Sequence, residues 1–125
     1  MAIVIKNLRN ASIKHKYQVR VDRQSPLGNK FYMSDDSQRD TVCDKYEEWL
    51  NDMIALKNGK VINELNRLYM IYKRHGKLEL FCWCAPKRCH AESIKTVIEN
   101  SLRKYGTSPH VKWEGKIPSN GYASK

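Results

Sequence analysis

Residues 77–90 read KLELFCWCAPKRCH, and this stretch sets the arrangement of the rest of the chain. Its first part, Lys77–Cys84, has the length and the aromatic content of a largely buried strand. A turn follows, because Pro86 cannot continue a strand ladder. From Cys89 onward apolar residues recur at helical spacing, so Cys89 and His90 are predicted at or near a helix N-terminus. The predicted unit is a strand, a short basic loop and a helix.

Two strands and two helices are predicted before this unit. Strands are indicated at Ile3–Ile5 and at Tyr17–Asp22, where apolar and polar residues alternate. Ser34–Ser37 offers the cap of a first helix that Asn58–Gly59 ends, and a second helix ends near His75–Gly76. The order β, β, α, α, β, α predicts a single small α/β domain, a few-stranded sheet flanked by about three helices in a Rossmann-like sandwich.

The length of 125 residues suits one domain. We expect residues 1–106 to form it, and residues 107–125 to be a partly flexible C-terminal extension with one strand at His110–Trp113. The sequence has no apolar run long enough to span a bilayer and no signal-peptide pattern. We therefore expect a cytoplasmic protein without a membrane partner, whose four cysteines are reduced.

The formal net charge of +10 is unevenly distributed. Residues 31–56 carry seven acids against two bases, whereas residues 1–30 and 57–125 are strongly basic. A basic body attracts nucleic acid, nucleotides or an acidic protein without specifying which of them. An ordinary solvated surface explains a scattered charge of this size equally well.

Two loops follow predicted strands, and ligands of α/β sheets bind at the carboxyl ends of strands. The first loop reads RQSPLGNK after the second strand. In it, Arg23 offers a fork of donors for a phosphate or oxyanion. Gly28 and Asn29 would allow close approach of the backbone to a ligand and a carboxamide hydrogen bond, and Ser25 adds a hydroxyl.

The second loop reads APKRCH before the last helix. Lys87, Arg88 and the backbone amides around Cys89 are candidates for binding a second anionic group. Cys89 and His90 are the catalytic candidates, Cys89 as an activated thiol and His90 as a proton relay. A simple turn and a hydrogen-bonded first-turn histidine explain the same residues structurally.

A zinc site is the alternative interpretation of the second loop. Its ligands would be Cys82, Cys84, Cys89 and His90. Thiolate and imidazole are the usual ligands of zinc, but the CxC spacing differs from the usual CxxC knuckle. Cys82 and Cys84 are equally well explained as small buried apolar residues. Apart from this zinc, no cofactor is expected.

The two loops also carry a resemblance to a known family. The SPLGN loop followed by an aromatic residue, the amphipathic helix, and the motif LFCWCAPKRCH resemble the family called domain of unknown function 4326, which is met often in bacteriophages and prophages. The resemblance spans roughly Val4 to Ile98. Family members typically read tyrosine-isoleucine-glycine-arginine before the loop and glycine-asparagine-proline-phenylalanine after it, whereas this chain has Val21-Asp22-Arg23 and Gly28-Asn29-Lys30-Phe31. The resemblance implies the position of a site but no reaction.

These observations support two hypotheses of different classes. The first is a phage-type α/β protein that binds a phosphorylated or nucleotide-like ligand or nucleic acid. Whether it also modifies nucleotides or nucleic acid is left open, because neither motif holds a carboxylate for acid or base chemistry, and only Asp22 and Glu92 lie nearby. The alternative is a non-enzymatic phage protein that binds and inhibits a host protein or defence component, with a structural zinc at the cysteine cluster.

Overall fold

The computed structural model describes residues 2–9, 11–31, 33–84, 87–105 and 113. The helices and strands follow the predicted order β, β, α, α, β, α, which confirms the α/β class. A short 3₁₀ turn, Asp36–Gln38, precedes the first helix. The elements are β1 Ala2–Asn7, β2 Gln18–Arg20, α1 Arg39–Ala55, α2 Gly59–His75, β3 Lys77–Cys82 and α3 Ala91–Tyr105.

The three strands form one parallel sheet in the order β1-β3-β2. In this sheet Ile3 pairs with Leu78, and Val19 pairs with Leu80. The last three residues of β3, Leu80, Phe81 and Cys82, are all buried, as expected where both faces of a parallel sheet are covered. Since all three strands run the same way, their carboxyl ends lie along one edge of the sheet.

Two strands are shorter than the sequence predicts. The backbone bonds from Leu8 N to Cys82 O (2.8 Å) and from Val21 N to Phe81 O (2.9 Å) are the last ladder bonds at the carboxyl edge of β3. Pairing of β3 with its neighbouring strands ends at Cys82. Trp83 and Cys84 therefore belong to the following loop and not to the strand. This places both side chains at the edge of the sheet where a ligand can reach them.

The ends of the helices are set by caps. The Asn58 side chain accepts from Val61 N (3.2 Å) and caps α2, so Asn58–Gly59 begins α2, whereas the sequence pattern placed it at the end of α1. Gly76 ends α2 as predicted, with a left-handed φ of 71° that favours glycine. The Asp35 carboxylate caps the 3₁₀ turn by accepting from Ser37 N (2.8 Å).

The core lies between the sheet and the helices. Leu78, Leu80 and Cys82 of β3 are fully buried, and α2 packs against this strand. Within the described residues, no helix is both long and apolar enough to cross a membrane. The expectations for residues 107–125, including the strand at His110–Trp113, fall outside the described residues except Trp113. The Trp113 indole packs edge-on against Tyr69 and donates to Asn66 Oδ1 (2.6 Å).

Candidate functional site

A cavity of about 540 Å³ lies at the carboxyl ends of β2 and β3. Its walls come from the loop after β2 (residues 21–31, the β2 loop), the loop after β3 (residues 83–90, the β3 loop) and the start of α1. The described residues that line it are Arg20, Asp22, Arg23, Gln24, Asn29, Phe31, Met33, Arg39, Val42, Cys43, Trp83, Cys84, Arg88, Cys89 and His90.

The eight site residues predicted from the sequence come from both loops, and the cavity brings most of them together. Each loop contributes to the same lining, as expected for two loops that follow parallel strands. The chemical roles assigned to these residues stay predictions. Arg23, Asn29, Arg88, Cys89 and His90 line the cavity, whereas Ser25, Gly28 and Lys87 lie outside its lining.

Ser25 and Gly28 shape the β2 loop. The Ser25 hydroxyl accepts from Leu27 N (3.0 Å), and Ser25 O accepts from Gly28 N (2.9 Å). A Cβ at position 28 would lie 2.4 Å from Asp22 O and 2.6 Å from Arg23 Cα. The close approach predicted for Gly28 is therefore an approach to the chain's own backbone. It folds the loop back on itself and sets the position from which Arg23 and Asn29 extend.

Tyr46 of α1 joins the two loops. Its side chain is fully buried, and its hydroxyl donates to Leu27 O (2.7 Å) in the β2 loop. Its ring meets the His90 ring of the β3 loop edge-on, with 5.0 Å between centroids. Burial raises the pKa of Tyr46 well above its ordinary value, so the phenol stays neutral and keeps its donor.

A buried carboxylate links the ends of β2 and β3. Asp22 is 5% exposed and accepts from the indole of Trp83 (3.0 Å) and from the guanidinium of Arg20. Burial by itself raises the pKa of Asp22, but the hydrogen bonds from Arg20 and Trp83 lower it below its ordinary value. Asp22 is therefore ionised at neutral pH. From the sequence, Asp22 was expected only as a nearby acid and Arg20 and Trp83 were not expected at the site, although Arg20 ends β2 and Trp83 directly follows β3.

The basic residues of the β3 loop are paired with the acidic start of α1. Arg88 lies 2.8 Å from a carboxylate oxygen of Asp40 and 2.8 Å from one of Asp44. Lys87 lies 3.0 Å from Asp36. These acids are spaced four residues apart, so they share one face of the chain. The pairing holds the β3 loop against α1 and reduces the charge that Lys87 and Arg88 can offer to an anion.

Arg39, at the start of α1, was not predicted as a site residue. It pairs with Asp36 and donates from Nη1 to Arg88 O (3.0 Å). Its Nε is buried and has no hydrogen-bond partner in the part of the chain that the structure describes. An unsatisfied guanidinium nitrogen costs free energy when it is buried. Arg39 also lines the cavity, so its guanidinium is part of the wall that a ligand would contact.

The backbone amides at the start of α3 are already used. Cys89 N donates to Glu92 Oε2 (3.3 Å), as in a capping box, and Ala91 N donates to Cys89 Sγ (3.3 Å). Ser93 N donates to His90 O (3.0 Å). Glu92 also places a negative charge at this helix terminus. An anion at the expected site around Cys89 would therefore have to displace acceptors of the chain itself from these backbone amides.

Three thiols meet behind the β3 loop. The Sγ atoms of Cys82 and Cys89 are 3.0 Å apart, and Cys84 lies beside Cys89. The hydrogen bonds from Cys82 and Cys84, together with burial, raise the pKa of Cys89, whereas the hydrogen bond from Cys89 and the charge of Arg39 lower the pKa of Cys84 to about 6. Among the described residues, no group of three or more His, Cys, Asp or Glu side chains is arranged to hold a metal ion.

His90 is buried and gives the protein a dependence on pH. Its Nε2 lies against Val21 O, and a carbonyl only accepts, so Nε2 carries the proton. Burial lowers the pKa of His90 below its ordinary value of 6.5. The unfolded chain therefore binds a proton at a higher pH than the folded chain does. The stabilising contribution is complete above about pH 6.5 and is lost as the pH falls toward the folded-state pKa.

We expect the free energy of unfolding to fall between pH 7 and pH 5 by up to about 1.4 kcal/mol per pH unit, as one group allows. Urea denaturation at a series of pH values measures it. His90→Gln, which retains a donor, should remove this slope, whereas His75→Gln at an exposed position should leave it. If both variants keep the wild-type slope, His90 is not the source of the pH dependence. Asp22, whose pKa is lowered, contributes only to losses below about pH 4.

Comparison with known proteins gives one match. A family model described as Domain of unknown function (DUF4326) matches residues 5–100. No curated protein and no solved structure matches the chain. The matched segment includes the β2 loop, the β3 loop and the start of α1, so every described residue that lines the cavity lies within it.

Proposed function

The chain belongs to the DUF4326 family, and we propose that it binds a phosphorylated, nucleotide-like small molecule in the cavity between the β2 loop and the β3 loop. One observation carries the proposal: Arg23 and Asn29 from one loop share a cavity with Arg88, Cys89 and His90 from the other. In parallel sheets ligands bind at this edge. The volume of about 540 Å³ falls in the range of pockets for small-molecule ligands.

The charge of the lining favours an anion. Four arginines and a single aspartate are among the described residues that line the cavity. Three of these arginines belong to ion pairs: Arg20 with Asp22, Arg88 with two acids of α1, and Arg39 with Asp36. Arg39 nevertheless keeps a guanidinium nitrogen that has no acceptor among the described residues, and a phosphate oxygen is a suitable acceptor for it. We therefore place the phosphate of the ligand near Arg39 and Arg23.

The aromatic lining favours a flat ring. Trp83 is 52% exposed, and its indole is held by the hydrogen bond to Asp22. A fixed aromatic face of this kind stacks on a nucleobase with a favourable free energy of about 1–3 kcal/mol. The Asp22 carboxylate beside Trp83 repels phosphate and accepts from hydroxyl or amino groups. The base and sugar would thus lie toward Trp83, and the phosphate toward Arg39.

We further propose a cytoplasmic setting, in a phage or prophage context as the resemblance implied. All four cysteines lie within the described residues and carry thiols rather than disulfides. Buried and half-buried thiols without disulfides suit a reducing compartment.

Isothermal titration with a panel of nucleosides and their mono-, di- and triphosphates tests the proposal. We expect at least one phosphorylated member to bind, and its unphosphorylated nucleoside to bind at least about tenfold more weakly, since a charged hydrogen bond contributes about 1.5–3 kcal/mol. Arg23→Gln should weaken binding by about 10- to 100-fold for the same reason. Arg23 is exposed, so this change leaves the core intact.

Arg103→Gln is the matched control, because it removes the same charge from an exposed position at the far end of α3. Equal losses of affinity in both variants would point to general surface charge and contradict the pocket. Silence across the panel with a folded protein would also contradict it. Binding of a single-stranded oligonucleotide that falls steeply with salt and ignores Arg23→Gln would favour electrostatic nucleic-acid binding instead.

A further inference from the structure

The wall of the cavity contains thiols that nucleotide binding does not require. Cys84 and Cys89 both line the cavity, and Cys89 Sγ lies 3.0 Å from Cys82 Sγ. The three side chains differ in access. Cys82 is fully buried and Cys89 is 3% exposed, whereas Cys84 is half-buried and lines the cavity. A small reagent that enters the cavity therefore meets Cys84 first.

The surroundings of Cys84 favour a thiolate. Cys89 and the Arg39 guanidinium lie beside it in the cavity wall, and both lower the pKa of the Cys84 thiol. Partial burial and the carboxylate of Asp36 raise the pKa of Cys84 and oppose this effect, but the net shift is downward. A cationic neighbour and partial exposure are the two conditions that distinguish reactive cysteines from structural ones. Cys43 lines the same cavity but is 5% exposed, and burial raises its pKa.

We propose that Cys84 is a site of oxidation by hydroperoxides that enter the cavity, and that Cys89 completes the reaction by forming a disulfide with it. This inference goes beyond the proposed function and does not depend on the identity of the nucleotide-like ligand.

The reaction balances with two thiols and one hydroperoxide. With hydrogen peroxide, the Cys84 thiolate attacks one peroxide oxygen, the O–O bond breaks, and Cys84 becomes a sulfenic acid while hydroxide leaves; an organic hydroperoxide loses an alkoxide in its place. The hydroxide takes the proton of the Cys89 thiol and becomes water. The Cys89 thiolate then attacks the Cys84 sulfur, the S–S bond forms, and the S–O bond breaks with loss of a second hydroxide. Both sulfurs are oxidised and the peroxide is reduced.

The contact between the two thiols makes Cys89 the partner. Cys89 lies five residues after Cys84 in the same loop and lines the same cavity wall, so the second step joins two neighbouring thiols. When the disulfide forms, Cys89 Sγ exchanges its present contacts for the bond to Cys84. The present contacts are a hydrogen bond accepted from Ala91 N and the contact with Cys82 Sγ. Since Cys84 and Cys89 both line the cavity, the disulfide changes the wall that a ligand would contact.

Peptide mass spectrometry of the full chain tests the proposal without any variant. The reduced protein is treated with stoichiometric hydrogen peroxide, remaining thiols are alkylated, and the peptides are mapped. We expect a Cys84–Cys89 disulfide, with Cys43 still a thiol. A Cys82–Cys89 disulfide, equal oxidation of all four cysteines, or no oxidation of Cys84 would overturn the proposal.

Two variants separate the roles. In Cys89→Ser we expect Cys84 to stop at the sulfenic acid, which a 1,3-diketone traps, whereas Cys43→Ser should form the disulfide as the wild type does. Before oxidation, iodoacetamide should alkylate Cys84 at least about fivefold faster than Cys43 at pH 7, after allowance for the lower nucleophilicity of a low-pKa thiolate. If Cys89→Ser does not fold, the disulfide mapped in the wild-type protein still shows whether Cys84 and Cys89 react with each other. One zinc ion per chain that blocks alkylation of Cys84 would overturn the proposal as well.

Discussion

Replacing Tyr46 with alanine is expected to lower the free energy of unfolding by about 4 kcal/mol, as for other buried aromatic residues. Tyr46 is fully buried, and it contacts Leu27 through its hydroxyl and His90 through its ring. The substitution removes the packing of both loops at once and leaves a cavity beneath them. Urea denaturation at pH 7 measures the change, and ligand binding should be lost with it.

Tyr46→Phe isolates the hydroxyl. It keeps the ring against His90 and removes only the donor to Leu27 O, so we expect a loss of about 1–2 kcal/mol. Met70→Ala serves as control because Met70 is 53% exposed on α2, and we expect a change within about 0.5 kcal/mol. A Tyr46→Ala variant that is as stable as Met70→Ala would contradict the linking role of Tyr46.

Gly28→Ala is expected to cost about 3 kcal/mol, at the upper end for overpacking, because the clash is with backbone atoms that cannot rotate away. The added Cβ would lie 2.4 Å from Asp22 O, so the β2 loop must move off β2. Thermal unfolding should show a melting temperature lower by roughly 10 °C. Affinity for the nucleotide-like ligand should fall in parallel, since Arg23 and Asn29 move with the loop.

Gly59→Ala is the matched control for this substitution. A Cβ at Gly59 meets nothing within 4 Å, and the residue begins α2. Alanine in a helix is equal to or better than glycine, so we expect a change between zero and about 1 kcal/mol of added stability. Equal stabilities of the two variants would show that the β2 loop has room that the structure denies it.

The sequence was sufficient for the order of the elements and for the meeting of the two loops. Both follow from periodicity, because apolar spacing separates strands from helices and parallel strands end at one edge. The lengths of β2 and β3 were overestimated, since a strand continues only as far as its neighbours pair with it. Trp83 illustrates this. Tryptophan is common in strands, but Trp83 lies beyond the last paired residue of β3 and is part of the cavity wall.

The details of the site depended on tertiary contacts that no local pattern reveals. Arg39 reaches the cavity because the start of α1 packs against Arg88 of the β3 loop, 49 residues later. The same packing explains why the pKa values of the two thiols Cys84 and Cys89 differ from the prediction. A helix N-terminus predicts a low pKa for Cys89, but burial and two neighbouring thiols raise it, and Cys84 beside Arg39 has the lowered pKa. The spacing of Asp36, Asp40 and Asp44 did hold a signal for the pairing with Lys87 and Arg88.

If both loops bind one anionic ligand together, the amides of both loops respond to the same titration with a nucleotide, and amide chemical shifts record that response. We expect the amides of Arg23 and Asn29 to shift at the same ligand concentrations as those of Arg88 and Cys89, giving one dissociation constant. A separate, basic hollow is lined by Lys16, Arg67 and Arg74. Shifts confined to that hollow would contradict joint binding by the two loops. Shifts in only one of the two loops would contradict it equally.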